Sequence, residues 1–302
     1  MKNKMLFVAA LVLAILAAGC ATQQTTVTIS ETDGVVIKSF SADVMTYSNQ
    51  DPIPLYLEIE NEGGTTAEST SAEIIGASWT TKPVFTIGNM FPPSIEPPIP
   101  GQYEVFAPTL SPYTSLPEGV NTNTHLTARV IYVYYSNGEV QVPVINKNEY
   151  RRRVQMKETL PTIPPVSNSK GPIHIDIDDR GVNPIIATAD GGSNQQVSFR
   201  IYIKNVGSGA PISGDDIGLM NATLTLQGLN ARFNECLSNT AYHGTSVNIP
   251  LTLRHGEYVV VPCIATLTVP NLHDTFHVIM STRYTYFTEQ QITVAIAGAP
   301  RS

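Results

Sequence analysis

The sequence predicts an all-β chain of two tandem antiparallel β-sandwiches behind an N-terminal export segment. Three observations carry this. Charged residues make up only 14% of the 302, while Val, Ile, Tyr, Thr, Ser and Pro are abundant, a composition suited to pleated, half-buried strands. Apolar and polar residues alternate with a period of two through many short runs, with turn residues between them. The second half of the chain repeats the pattern of the first.

The first twenty residues read as an export signal. Lys2 and Lys4 form a positive flank, Met5 to Ala18 an apolar run, and Ala17-Ala18-Gly19 the small residues a signal peptidase needs. The run is shorter than the roughly 20 residues that span a bilayer. Leu16-Ala17-Ala18-Gly19-Cys20, followed by the polar Ala21-Thr22-Gln23-Gln24-Thr25-Thr26, resembles the lipobox and tether of prokaryotic (bacterial or archaeal) lipoproteins. The resemblance implies cleavage before Cys20, a lipid on its sulfur, and residues 21–33 as a flexible tether. It further implies an exported, membrane-anchored protein on the periplasmic or extracellular face. A retained anchor or an ordinary cleaved signal is the other reading of the same residues.

The two sandwiches are expected over 34–154 and 173–297. Val36, Lys38 and Phe40 match Ile173, Ile175 and Ile177 as a first alternating strand. Leu57-Glu58-Ile59-Glu60-Asn61-Glu62-Gly63 matches Ile201-Tyr202-Ile203-Lys204-Asn205-Val206-Gly207, a strand running into an Asn-x-Gly turn. Gly101-Gln102-Tyr103 matches Gly256-Glu257-Tyr258. Tyr132-Val133-Tyr134-Tyr135 matches Tyr284-Thr285-Tyr286-Phe287, and Val140, Val142 and Val144 match Ile292, Val294 and Ile296, all at one offset of 152. Ser136-Asn137-Gly138-Glu139 and Thr288-Glu289-Gln290-Gln291 between them read as the links of a closing hairpin in each half. No convincing amphipathic helix is visible. This layout resembles the immunoglobulin-like domains of microbial surface proteins, in particular adhesion-type modules, over residues 34 to 150 and 171 to 297. The resemblance implies a spacer or binding module rather than an activity.

A Pro-rich insert, 80–123, carries nine prolines and is expected to wrap the sandwich without forming regular sheet, because proline removes ladder donors. Its Phe85, Met90, Phe91, Tyr103, Phe106 and Tyr113 form the candidate contact surface, with anchoring of the insert to its own domain as the competing role. Trp79 is expected in the core or as an anchor for the insert. Residues 155–172 form a Pro-rich linker expected to be extended and semi-rigid.

With Cys20 lipidated, Cys236 and Cys263 remain as an even pair in an oxidising compartment, and a disulfide between them is expected. Closing that loop contributes on the order of 3 kcal/mol. Metal binding is not expected. The weak candidates are Asp176 and Asp178, as hard oxygen ligands near a turn, and His273 and His277, which share a face if they lie on a strand. Arg151-Arg152-Arg153 reads as the solvated end of a strand.

These residues lead to the expectation of a membrane-tethered envelope or cell-surface protein acting as a non-catalytic spacer and binding module. No cofactor is expected. Its partners would be the membrane, through the N-terminal lipid, and another envelope protein or a surface polysaccharide. The net charge of −7 becomes −9 once Lys2 and Lys4 leave, and without a basic stripe no nucleic acid is expected. The alternatives are an accessory subunit of an envelope export or surface-filament assembly, and a hydrolase with an interdomain site using groups such as Asp176, His273 and His277.

Overall fold

The structure, a computed structural model, describes residues 27–178, 183–237 and 240–299. Cys20 and the signal lie outside these. The first half runs β1 (Val35–Ala42), β2 (Thr46–Ser48), β3 (Ile53–Asn61), β4 (Ala67–Ile75), β5 (Val84–Met90), β6 (Tyr103–Phe106), β7 (Thr109–Leu110) and β8 (Asn121–Asn146). Helix α1 (Lys147–Met156) and β9 (Ser167–Asn168) follow. The second half runs β10 (Ile173–Ile177), β11 (Ile185–Ala187), β12 (Asn194–Asn205), β13 (Ala210–Ser213), β14 (Asp216–Ile217), β15 (Leu219–Gln227), β16 (Arg232–Cys236), β17 (Thr240–Gly244), β18 (Ser246–Thr252), β19 (Tyr258–Thr268) and β20 (His273–Ala297).

The chain is all-β and sandwich-like, with mainly antiparallel sheets. One large sheet, with the path β14-β13-β20-β8-β4-β5, passes through both halves. Two smaller sheets belong to one half each: β1-β3-β6 to the first and β10-β12-β19-β16-β17 to the second. The buried apolar residues of both halves form one continuous cluster.

The expected closing hairpins are not formed. β8 and β20 are each one uninterrupted strand, of 26 and 25 residues, far beyond the usual strand length of about 3–10. They pair with each other along their whole length, from His273 opposite Ile145 to Ala297 opposite Asn121. Tyr284 faces Tyr134, Tyr286 faces Tyr132, and Val133 faces Thr285, its own counterpart at the offset of 152. The repeat therefore folds about a local two-fold axis through the Val133–Thr285 pair. The same relation places β4 beside β8 and β15 beside β20: Ile74 pairs with Ala128 and Leu224 with Met280.

One register detail differs from the sequence match. Val35, not Val36, stands where Ile173 stands, since both lie opposite the repeated asparagines Asn61 and Asn205. A bulge between Ile37 and Ser39 absorbs Lys38 as an extra residue, and the match is restored at Phe40 and Ile177, opposite Leu57 and Ile201.

The Pro-rich linker does not hold the halves apart. Its end pairs with β8, Ser167 opposite Glu139 and Asn168 opposite Gly138, and the Asn168 side chain bonds both the N–H and C=O of Ile175. The Arg run lies on α1 and not on a strand end. Asn146 caps this helix, accepting from the Asn148 N–H at 2.9 Å.

Candidate functional site

The two halves meet at a seam built from four tyrosines. Side chains at even positions of β8 and β20 point into the core, so Tyr132, Tyr134, Tyr284 and Tyr286 converge where the strands cross the local axis. Tyr132–Tyr134, Tyr134–Tyr284, Tyr284–Tyr286 and Tyr286–Tyr132 are ring contacts with centroids 5.8–6.4 Å apart, a closed circuit in the favoured edge and tilted geometries. The Tyr284 hydroxyl shares a hydrogen bond with Ser136 Oγ at 2.8 Å, and that of Tyr132 donates to the Val35 carbonyl at 3.4 Å.

Burial raises all four phenols above their ordinary value of 10.0, Tyr132 and Tyr284 most strongly. Each phenol keeps its proton in the folded chain after the unfolded chain would release it. Their contribution to stability is therefore complete below about pH 10 and is lost as pH rises through the raised folded values. Of the thirteen tyrosines, these four should yield tyrosinate only together with loss of sheet structure; ionisation of all thirteen in a chain that keeps its sheets would contradict the burial.

The outer two tyrosines hold the Asn-x-Gly turns. Asn61 donates from Nδ2 to the carbonyls of Thr65 (3.0 Å) and Met90 (2.8 Å), and accepts from the Gly63 N–H (3.1 Å). Tyr134 Oη accepts from the Thr65 N–H at 3.1 Å. In the second half Asn205 donates to Gly209 and Gly256 and accepts from Gly207, while Tyr286 Oη accepts from the Gly209 N–H at 3.0 Å. Glycine is required in both turns by close approach: a Cβ at Gly63 would overlap the Tyr134 hydroxyl, and one at Gly207 would lie 2.7 Å from that of Tyr286.

The end of the N-terminal segment is fastened into this seam. Asp33 Oδ1 accepts from the N–H and hydroxyl of Ser208 in the opposite half, at 3.0 and 3.1 Å. The Glu31 carbonyl accepts from the Gly171 N–H, and its carboxylate lies 3.1 Å from Lys170 Nζ. Lys170 reciprocally accepts from the Gly64 N–H of the first half. The lead-in segment of each half thus contacts the Asn-x-Gly turn of the other. Residues 30–33, expected as part of a free tether, are held here.

The candidate contact surface divides. Met90 is fully buried and is corrected to a core residue. Phe85 stacks on Phe106 with centroids 4.9 Å apart, and Tyr113 stacks on Trp79 at 4.7 Å, so these rings anchor the insert to its own domain. Trp79 Nε1 donates to the Ser111 carbonyl at 2.9 Å. Only Phe91 and Tyr103 of the six are exposed. The insert is also more regular than expected. It supplies β5 to the large sheet and β6 and β7 to β3, and its prolines all fall outside these strands.

Cys236 and Cys263 form the expected disulfide, directly opposite each other on β16 and β19. The weak metal candidates are not brought together. Asp176 lies 2.5 Å from Lys204 Nζ, and the Asp178 carboxylate 3.7 Å from Arg200. His277 Nδ1 lies 2.5 Å from Glu139, and His273 Nδ1 3.2 Å from Arg153 Nη2. Among the described residues no three His, Cys, Asp or Glu side chains stand close enough to hold a metal ion.

Two of the three arginines in the run clamp Glu149 on α1. Arg152 meets it through Nε and Nη2 at 2.7 and 2.9 Å, and Arg153 through Nε at 2.7 Å. These hydrogen bonds pull the Glu149 carboxyl down to about 2. The spacing Asn146-x-x-Glu149 is a helix-start signal that sequence reading missed.

No family model and no curated protein matches the chain. Among solved structures, it is similar to red sea bream transglutaminase at 9% identity and a TM-score of 0.18, over 85% of this chain and 31% of that one. It is also similar to the alpha-2-macroglobulins of E. coli and Salmonella, each at 9% identity and a TM-score of 0.20, over 87% and 89% of this chain. The chain spans 17% of either macroglobulin. Likeness at this level carries no argument about activity.

Proposed function

We propose that the chain is an exported protein, tethered to a membrane through a lipid on Cys20, that presents two fused β-sandwiches to another envelope protein or a surface polysaccharide and acts by binding rather than catalysis. The observation that carries this reading is the fastening of Glu31 and Asp33 at the seam, eleven and thirteen positions after Cys20. A lipid at Cys20 would then keep both halves close to the membrane, because the segment is fastened where they share a sheet. The buried disulfide in the second half suits an oxidising compartment.

The acids and histidines of the hydrolase reading each have a separate partner, which gives that reading no assembled site to build on. The test is the intact mass of the chain taken from its membrane fraction, with Cys20→Ser as the control. A Cys20→Ser chain is expected to lose the lipid mass and the stable membrane association.

A further inference from the structure

Resting on that tethered reading, we infer that the insert loop of residues 91–100 is a second membrane contact, which docks its apolar tip into the lipid interface beside the tether. Phe91, Ile95 and Ile99 are 63, 58 and 52% exposed, and burying such side chains is favourable. The fold does not need them. At the equivalent place before β19 the second half has only the short polar turn Arg254-His255-Gly256-Glu257.

The occupant is argued from the tether. Val27 and Thr28 line one groove with Pro93, Pro100 and Gly101 of the insert; its floor also carries Lys38, paired with Glu60 and Glu62. Val27 is seven positions after Cys20, and an extended chain of that length reaches at most about 25 Å. A lipid on Cys20 therefore brings the bilayer surface within reach of the loop.

The backbone of the loop also suits a poorly hydrated interface, where unpaired polar groups are costly. Five of its ten residues are proline and carry no N–H. Of the remaining five, Phe91 donates to Gln102 Oε1 at 3.1 Å, and Ser94 and Ile99 exchange backbone bonds of 2.8 and 2.9 Å, which leaves only the Ile95 and Glu96 N–H groups to the hydrated headgroup region. Glu96 is the only charged residue. A zwitterionic surface fits this loop better than an anionic one.

The experiment is Ile95→Cys on the full lipidated chain, labelled with an environment-sensitive fluorophore and reconstituted in phosphatidylcholine vesicles containing nitroxide-labelled lipid. With Cys20 acylated and Cys236 and Cys263 in a disulfide, the new thiol is the one labelled. Val154→Cys is the control: it is exposed on α1, beyond the far end of β8. Strong quenching with a blue shift at position 95, and neither at 154, is expected. Lipid on Cys20 by mass but no quenching at position 95 would overturn this inference and leave the tethering intact. Protection from aqueous quencher that grows with protein concentration, without lipid quenching, would assign the loop to a second copy and also overturn it. A mass without lipid would overturn the tethering, and this inference with it.

Discussion

Tyr132→Ala is expected to destabilise the protein by about 3–5 kcal/mol, the cost of truncating a large, fully buried ring, and to loosen both halves together. Tyr132 lies on the first half's long strand, yet its ring meets Tyr286 of the second half as well as Tyr134. Removing it opens a cavity on the local two-fold axis, under the β8–β20 ladder that both sandwiches use. The check is denaturant unfolding followed in each half at once. Trp79 fluorescence reports the first, and the rate at which reductant opens Cys236–Cys263 reports the second. A loss confined to the Trp79 signal would mean that the halves are independent units and that the shared sheet does not couple them.

Asn61→Ala should cost about 2–4 kcal/mol. The side chain is fully buried and serves three backbone groups: the carbonyls of Thr65 and Met90 and the N–H of Gly63. Each buried group left unsatisfied costs about 1–3 kcal/mol, part of which is recovered if water enters. Asn205→Ala should cost less, because Asn205 makes the corresponding bonds to Gly207, Gly209 and Gly256 but is only part-buried. Asn61→Asp should not rescue the loss, since it keeps the acceptor and removes both donors. Thermal unfolding of the three variants tests this. An Asn61→Ala chain as stable as the parent would show that the turn is held by other contacts.

Much of the fold was legible because strand alternation and repeat spacing are local properties. The class, the match of Asn61 with Asn205, the Gly-x-Tyr correspondence and the pairing of the cysteines were all readable. The closing hairpins were not, and the reason is specific. Ser136-Asn137-Gly138-Glu139 has turn chemistry, but Gly138 is there for close approach. A Cβ at that position would overlap Ile175 of the other half, and Ser136 is buried against Tyr284. Only the tertiary partner distinguishes a turn glycine from one that lets another strand approach. Likewise, Lys38 shifted the first strand's match by one residue because a bulge leaves no mark in apolar alternation.

The candidate surface was less legible still. Aromatic content alone did not separate Phe85, Phe106 and Tyr113, which stack within the domain, from Phe91 and Tyr103, which are exposed. Met90 ends β5 and faces inward although Val84 and Thr86, of the same parity, are exposed: register shifts in the β4–β5 pairing reverse the alternation near Gly88 and set Met90 opposite the buried Ala67, which alternation alone does not reveal. The polar fastening across the seam was invisible for a different reason. Its parts, Glu31 to Asp33, Lys170-Gly171 and Ser208, are polar residues from three distant stretches with no common motif.

The central functional claim is tethering through Cys20, and the most direct measurement is the intact mass of the protein from its native membrane fraction, before and after reduction. The account predicts a chain that begins at Cys20 and carries added lipid mass, with two hydrogens gained when Cys236–Cys263 is reduced. A chain that retains residues 1–19, or one cut without lipid, would contradict it.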